Sequence, residues 1–268
     1  MTVTVPKDIL TVAGPDAQKF LHSLVSQDVA SLSPGDESWS FLLQPQGKVV
    51  GFFSISRLAK GADEPDAFEL VLDEGAGGRV RDALQRYLIR TKATISLAEG
   101  VERPGFTEVE RITAGLPRWG REITESTIPN ETGLTPIAVN FTKGCYVGQE
   151  LVERIDSRGG NVPKRLCILR FDGAAVPTDG VAHLEREGKG VGTLTSAAFD
   201  PDTGRTIALA YVRREVADGA RVDVLWDADG GAGLDQAMVG PLPAAGPIGN
   251  SPTPKGSTGL PRFTSRRP

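Results

Sequence analysis

The period of the hydrophobic pattern changes once along this chain, and that change constrains the fold more than any other feature. Up to about residue 160, apolar side chains recur at helical spacing in two places. Ala17, Phe20, Leu21, Leu24 and Val25 form one stripe, and Val80, Ala83, Leu84, Tyr87 and Leu88 form another. Strand-like runs surround them at 9–12, 38–43, 49–55, 68–72 and 91–97. The turn Gln44-Pro45-Gln46-Gly47 joins two of these runs as a hairpin. After residue 165 the helical period is lost, and short runs at 166–171, 190–196, 206–212 and 221–225 alternate with Gly, Pro and Asp turns. Hairpins mixed with helices predict an α+β region over residues 1–165 rather than a βαβ succession. The short strands that follow predict a small β-barrel over 166–242. Pro, Gly, Ser and Thr dominate residues 243–268, which are expected to form a disordered tail.

Composition removes several functions. The 268 residues carry 30 basic against 34 acidic side chains, a net charge of −4 that does not suit a nucleic-acid coat protein. No apolar run is long enough to span a bilayer, and the first residues lack the basic and apolar regions of a signal peptide. With only Cys145 and Cys167, a disulfide scaffold is excluded and a reducing cytoplasm is the expected location. His22 and His183 stand alone, without ligand-spaced neighbours, so no metal site is expected. The glycines at 75, 77 and 78 serve a tight turn, because the third position of a dinucleotide fingerprint is Val80.

The segment from Lys143 to Glu150 concentrates chemistry. A thiol, an amine, a phenol, an amide and a carboxylate lie among two glycines, just before a short helix expected to bury Leu151, Val152 and Ile155. A cysteine ahead of a helix N-terminus, with Lys143 nearby, is placed to have an available thiolate. Over residues 143–170 six basic side chains face three acidic ones, which suits an anion site or a solvated face.

Seven positions of that octapeptide, Lys143-Gly144-Cys145-Tyr146-x-Gly148-Gln149-Glu150, resemble the signature of the YgfZ-type folate-binding proteins. These are relatives of the glycine-cleavage T-protein (aminomethyltransferase) that serve iron–sulfur cluster maintenance and tRNA modification. Arg158-Gly159-x-Asn161, Arg111-Ile112-x-Ala114-Gly115-Leu116-Pro117, Phe20-Leu21 with Gln27-Asp28-Val29, and Gln46-Gly47-Lys48 extend the resemblance over residues 8–240. It implies an α+β folate-binding region around a central channel, followed by a C-terminal β-barrel, with tetrahydrofolate as cofactor. It further implies a role in iron–sulfur cluster assembly or repair and in cluster-dependent tRNA modification. The partners would be a reduced folate, iron–sulfur client enzymes and tRNA, with no membrane. Lys143 and Arg158 would hold the anionic glutamate tail, Cys145 would be the functional thiol, and Arg111 would line the channel. Gly144 and Gly148 would shape the turn that Tyr146, Gln149 and Glu150 fix.

One departure bears on activity. Where the T-protein relatives carry an Asp-Asp pair after the Gly-rich turn, this chain has Gly51-Phe52. Their Gly-Glu-x-Gly-x-Glu stretch has no counterpart in residues 97–110. A non-enzymatic folate-linked factor is therefore expected. The alternative is a folate-dependent one-carbon transferase that uses another carboxylate, Glu150 first.

Overall fold

Strand β1 (Val3–Ala13) organises the first half of the chain, in a computed structural model that describes residues 3–59, 64–175, 177, 181–228 and 231–243. It pairs antiparallel with β4 (Ala67–Asp73) on one side and β5 (Thr94–Gly105) on the other. The hairpin of β2 (Glu37–Leu43) and β3 (Val49–Arg57) completes a sheet of order β2-β3-β4-β1-β5. Helices α1 (Ala17–Leu24) and α2 (Gly77–Gln85) cover one face. Their buried residues Phe20, Leu21, Leu24, Val80 and Leu84 pack on Leu10, Val12, Phe53, Ile55, Leu70 and Leu72 of the strands. Side chains alternate across a strand, so Glu37, Trp39, Phe52, Ser54, Glu69, Val71 and Asp73 fall on the other face.

β1 is longer than the expected 9–12 because its charged residues have partners. Lys7 meets Asp73 at 2.6 Å on the open face, while Asp8 is buried on the helix side and accepts from the Gly77 N–H at 2.8 Å. α2 has no side-chain cap of its own, so the Asp8 carboxylate satisfies an orphan donor at its start. β5 runs to Gly105 rather than ending at 97. It is an edge strand, and its alternating charged residues hide it from a hydrophobic pattern.

Residues 106–157 fold over part of the open face. They form α3 (Glu108–Thr113), a 3-10 turn (Pro129–Thr132), α4 (Thr135–Ala138) and α5 (Gln149–Ser157). Leu116, Ile123, Leu134, Val139, Tyr146 and Val152 pack there on Phe41, Leu43, Val49 and Phe52. The expectation for α5 needs correction. Only Val152 is buried, while Leu151 and Ile155 are half-buried, because the helix lies along the surface beside the β2–β3 turn.

Six strands then close a barrel: β6 (Lys164–Phe171), β7 (Ala182–Arg186), β8 (Lys189–Asp200), β9 (Arg205–Arg213), β10 (Arg221–Ala228) and β11 (Gly231–Gly240). Their order is β10-β11-β6-β9-β8-β7, with β7 pairing back to β10. Two of the six have no counterpart in the sequence reading. β7 is short and joins β8 through Glu187-Gly188, both at positive φ (54° and 72°), a hairpin turn usually signalled by Asn-Gly or Asp-Gly. β11 contains Gly233, where an added Cβ would lie 2.2 Å from Trp226 Cε2; the indole covers a glycine that a strand pattern would not include. Residues 244–268, nearly all of the expected disordered tail, lie outside the described residues. Among the described residues no helix is long and apolar enough to cross a membrane.

Candidate functional site

The open face of the sheet and the segment 104–121 enclose a cavity of about 820 Å³. That is ample for a cofactor-sized ligand. Trp39 and Phe52 stack in its wall with centroids 4.7 Å apart and planes 12° from parallel. Phe52 therefore stands on the cavity side at one of the two positions where the resemblance puts a carboxylate. Gly51 points the other way, and a Cβ there would come within 2.4 Å of Val80 Cγ2 on α2.

Most charged groups of the cavity are paired. Arg103 donates to Glu69 at 2.8 Å, and Asp73 accepts from Lys7 and from the Trp119 N–H at 2.8 Å. Arg79 lies 4.2 Å from the Trp119 ring centroid, bracing that loop. Glu37 differs. Its Oε2 is buried without a hydrogen-bond partner, as is Trp39 Nε1 two residues along the same face. Burial pushes the Glu37 carboxyl above its ordinary value, a Ser54 hydroxyl pulls it partly back, and the neighbouring Glu69 pushes it further up.

Arg111 lines the cavity and is also the centre of a buried network. It donates to Glu108 at 2.7 and 2.9 Å, to the Leu116 carbonyl at 2.7 Å and to Glu122 at 3.2 Å. Burial works against its charge, but the Glu108 and Glu122 carboxylates outweigh that and hold its pKa above the ordinary value. Glu122 in turn accepts from the Arg118 N–H, Thr195 Oγ1 and Ser196 Oγ, which ties this network to the barrel through β8.

The octapeptide lies elsewhere. None of Lys143, Gly144, Cys145, Tyr146, Gly148, Gln149, Glu150 and Arg158 lines the cavity. Lys143 Nζ donates to the carbonyls of His22, Val25 (2.6 Å) and Gln27 (3.1 Å), at and just beyond the end of α1. A cation there neutralises the negative end of the helix and occupies carbonyls that have no helical donor. Burial lowers its pKa to about 8, with Asp28 partly countering. Lys143 thus acts as a clasp, and it is spent on backbone rather than on a glutamate tail. Gly148, at φ 80°, fits against the hairpin turn, where a Cβ would come within 2.4 Å of the Gln44 carbonyl oxygen. Gln149 accepts from the Tyr146 N–H at 2.9 Å. The Tyr146 ring is buried 5.3 Å from the Lys143 ammonium, and burial pushes its phenol up. Gly144 has open space around it, and Cys145, Glu150 and Arg158 are exposed. The motif therefore folds as a fastening that holds a thiol at the surface. The cations on the cavity are Lys7, Arg103, Arg111, Arg118 and Arg121 instead.

Residues 164–229 match the glycine cleavage T-protein C-terminal barrel domain. The chain is related to the T-proteins. It is 29% identical over 222 residues to an aminomethyltransferase of Thermotoga neapolitana, which covers 81% of this chain and 54% of that protein. The chain thus spans about half the length of such T-protein relatives. An uncharacterized protein of Haemophilus influenzae is 25% identical over 232 residues, covering 70% of this chain and 81% of its own length. The crystal structure of the glycine cleavage system aminomethyltransferase T from Bartonella henselae superposes with a TM-score of 0.73 at 19% identity, over 90% of this chain and 84% of that one. The α+β region followed by a closed six-stranded barrel is the T-protein fold.

Sequence reasoning missed Glu37, Trp39, Glu69 and Arg103. The available signal was Glu37-x-Trp39 opening a buried hairpin, with Ser54 and Ser56 at the same parity on its other strand. Polar residues at alternate positions of a strand otherwise read as a solvated face.

Proposed function

We propose that this chain is a folate-binding factor of the T-protein type that supports iron–sulfur cluster assembly or repair, and through it cluster-dependent tRNA modification, without transferring an aminomethyl group. The observation that carries this reading is the cavity itself. It lies within a T-protein-like fold, and its wall joins the stacked Trp39–Phe52 pair to the cations Arg118 and Arg121, which suits a ligand with a flat ring and an anionic tail. Yet Phe52 stands on its wall where the resemblance puts an ionisable group. A tetrahydrofolate bound there would supply a one-carbon carrier. The chain's own residues would stack its ring on the Trp39–Phe52 pair and place Arg118 and Arg121 near an anionic tail. The cluster-related role rests on the octapeptide resemblance and on the exposed Cys145. One thiol cannot enclose a cluster that needs about four, so any contact would be shared with a client protein.

The relatives that are aminomethyltransferases favour the transferase as second reading, and Gly51-Phe52 weighs against it. Glu150, its first candidate carboxylate, is exposed on α5 and off the cavity. Isothermal calorimetry with 5-formyltetrahydrofolate, run beside an aminomethyl-transfer assay with lipoyl carrier protein, separates the two. Binding without turnover is expected. Turnover above background selects the transferase, and absence of binding refutes both.

A further inference from the structure

We infer that a smaller cavity, where the segment 121–127 crosses the outer face of the barrel, is a site for a phosphate group, either the free ion or a monoester. This inference goes beyond the folate reading and does not depend on it. The cavity holds about 340 Å³, at the lower end of ligand-site sizes.

The barrel supplies its floor. Tyr211 and Arg213 point the same way from β9, and the ladders place Thr193 of β8 opposite Tyr211 and Lys164 of β6 opposite Arg213. All four share the outer face, since Val212 between Tyr211 and Arg213 belongs to the barrel core. Tyr211 also fixes the roof. Its hydroxyl donates to the Glu122 carbonyl at 3.0 Å, which brings Arg121 to the same cavity.

Charge distinguishes this cavity. Among the described residues its lining carries the cations Arg121, Lys164 and Arg213 against one carboxylate, Glu122. Glu122 is already spent, with Oε1 accepting from Thr195 and Ser196, and Oε2 from Arg111 and the Arg118 N–H. Lys164 and Arg213 are directly opposed, and like charges at opposed positions of a ladder destabilise it. Neighbouring carboxylates compensate little. Glu131 lies 3.9 Å from Lys164, too far for a hydrogen bond. Glu215 lies 3.8 Å from Arg213, and those two side chains are 60% and 62% exposed, where ion pairs are weak. The Lys164 ammonium is held over the Tyr211 ring, 4.5 Å from its centroid, and so stays at the cavity.

Three cations from three segments, with the Thr193 hydroxyl beside them, suit a tetrahedral dianion whose oxygens can be met from different sides. A lone carboxylate brings a single charge in one plane and matches this arrangement less well.

Full-length protein is titrated by calorimetry with inorganic phosphate, ribose 5-phosphate and γ-glutamylglutamate, at one ionic strength held with sodium chloride. Saturable binding of a phosphate probe is expected. Tighter ribose 5-phosphate assigns the site to a monoester, and equal or weaker binding assigns it to the free ion. Arg213→Gln should weaken the bound phosphate probe about tenfold, the order of one charged hydrogen bond. Its ligand-free Tm should stay at or above that of wild type, because the repulsion with Lys164 is relieved. Lys164→Gln should weaken binding similarly; if loss of the Tyr211 contact unfolds that variant, the exposed Arg213 decides. No saturable phosphate binding, or unchanged affinity in Arg213→Gln, overturns the inference. Tighter binding of γ-glutamylglutamate than of either phosphate probe overturns it too, and makes the site one for carboxylates.

Discussion

Replacing Glu37 by glutamine should stabilise the protein near neutral pH. The carboxyl sits in the cavity wall with Oε2 buried and unpartnered, and burial raises its pKa. At pH 7 folding therefore holds a carboxylate where a neutral group is preferred. Glutamine keeps the shape and an acceptor for Ser54 while removing the charge. An unmet buried polar group costs about 1–3 kcal/mol. The amide still leaves one atom unmet, so the expected gain is about 1 kcal/mol, or about 2–4 °C in Tm for a chain of this size. The folded pKa lies above the ordinary 4.5, so the folded chain holds its proton more tightly than the unfolded one. That contribution is fully present below about pH 4.5 and is lost as pH rises through the folded value. The advantage of Glu37→Gln should thus be largest at pH 7 and close at pH 4. Urea denaturation followed by tryptophan fluorescence measures it, since Trp39 and Trp119 lie at the cavity and Trp226 in the barrel. A variant less stable at pH 7, or an advantage unchanged at pH 4, would show that the carboxylate is well satisfied in the ligand-free fold.

Iodoacetamide should label Cys145, which is exposed, long before Cys167, which is fully buried in the barrel core and whose thiol burial pushes up to about 11. Comparable rates, read by peptide mass spectrometry, would mean that the barrel opens readily. Lys143→Met should cost about 2–3 kcal/mol in urea denaturation, because it leaves the carbonyls of His22, Val25 and Gln27 without their charged donor. A loss below about 0.5 kcal/mol, the scale of an ordinary surface change, would show that water replaces the ammonium freely. Burial lowers Lys143 to about 8 from 10.5, so the folded chain gives up this proton before the unfolded one does. Wild type should therefore gain on Lys143→Met as pH rises between those values.

The periodic elements were legible because local spacing alone decides which face of an element is apolar. The stripe from Ala17 to Leu24 becomes α1, the Gln44–Gly47 turn joins β2 to β3, and the loss of helical period near 165 precedes a barrel whose first strand opens at Lys164. The absence of a carboxylate at Gly51-Phe52 was equally plain from the order of residues. Roles that depend on partners distant in the chain were not legible. Lys143 looks like an anion-binding lysine, yet its acceptors are backbone carbonyls at 22–27, invisible in any side-chain pattern. Glu37 looks like the solvated start of a strand. Only the sheet order, which aligns β2, β3, β4, β1 and β5, and the segment 104–121 folding across them turn that polar face into a cavity wall. Sequence spacing sets which way a side chain points from its own backbone, whereas what it meets there is set by strands and loops that tertiary packing brings from elsewhere in the chain.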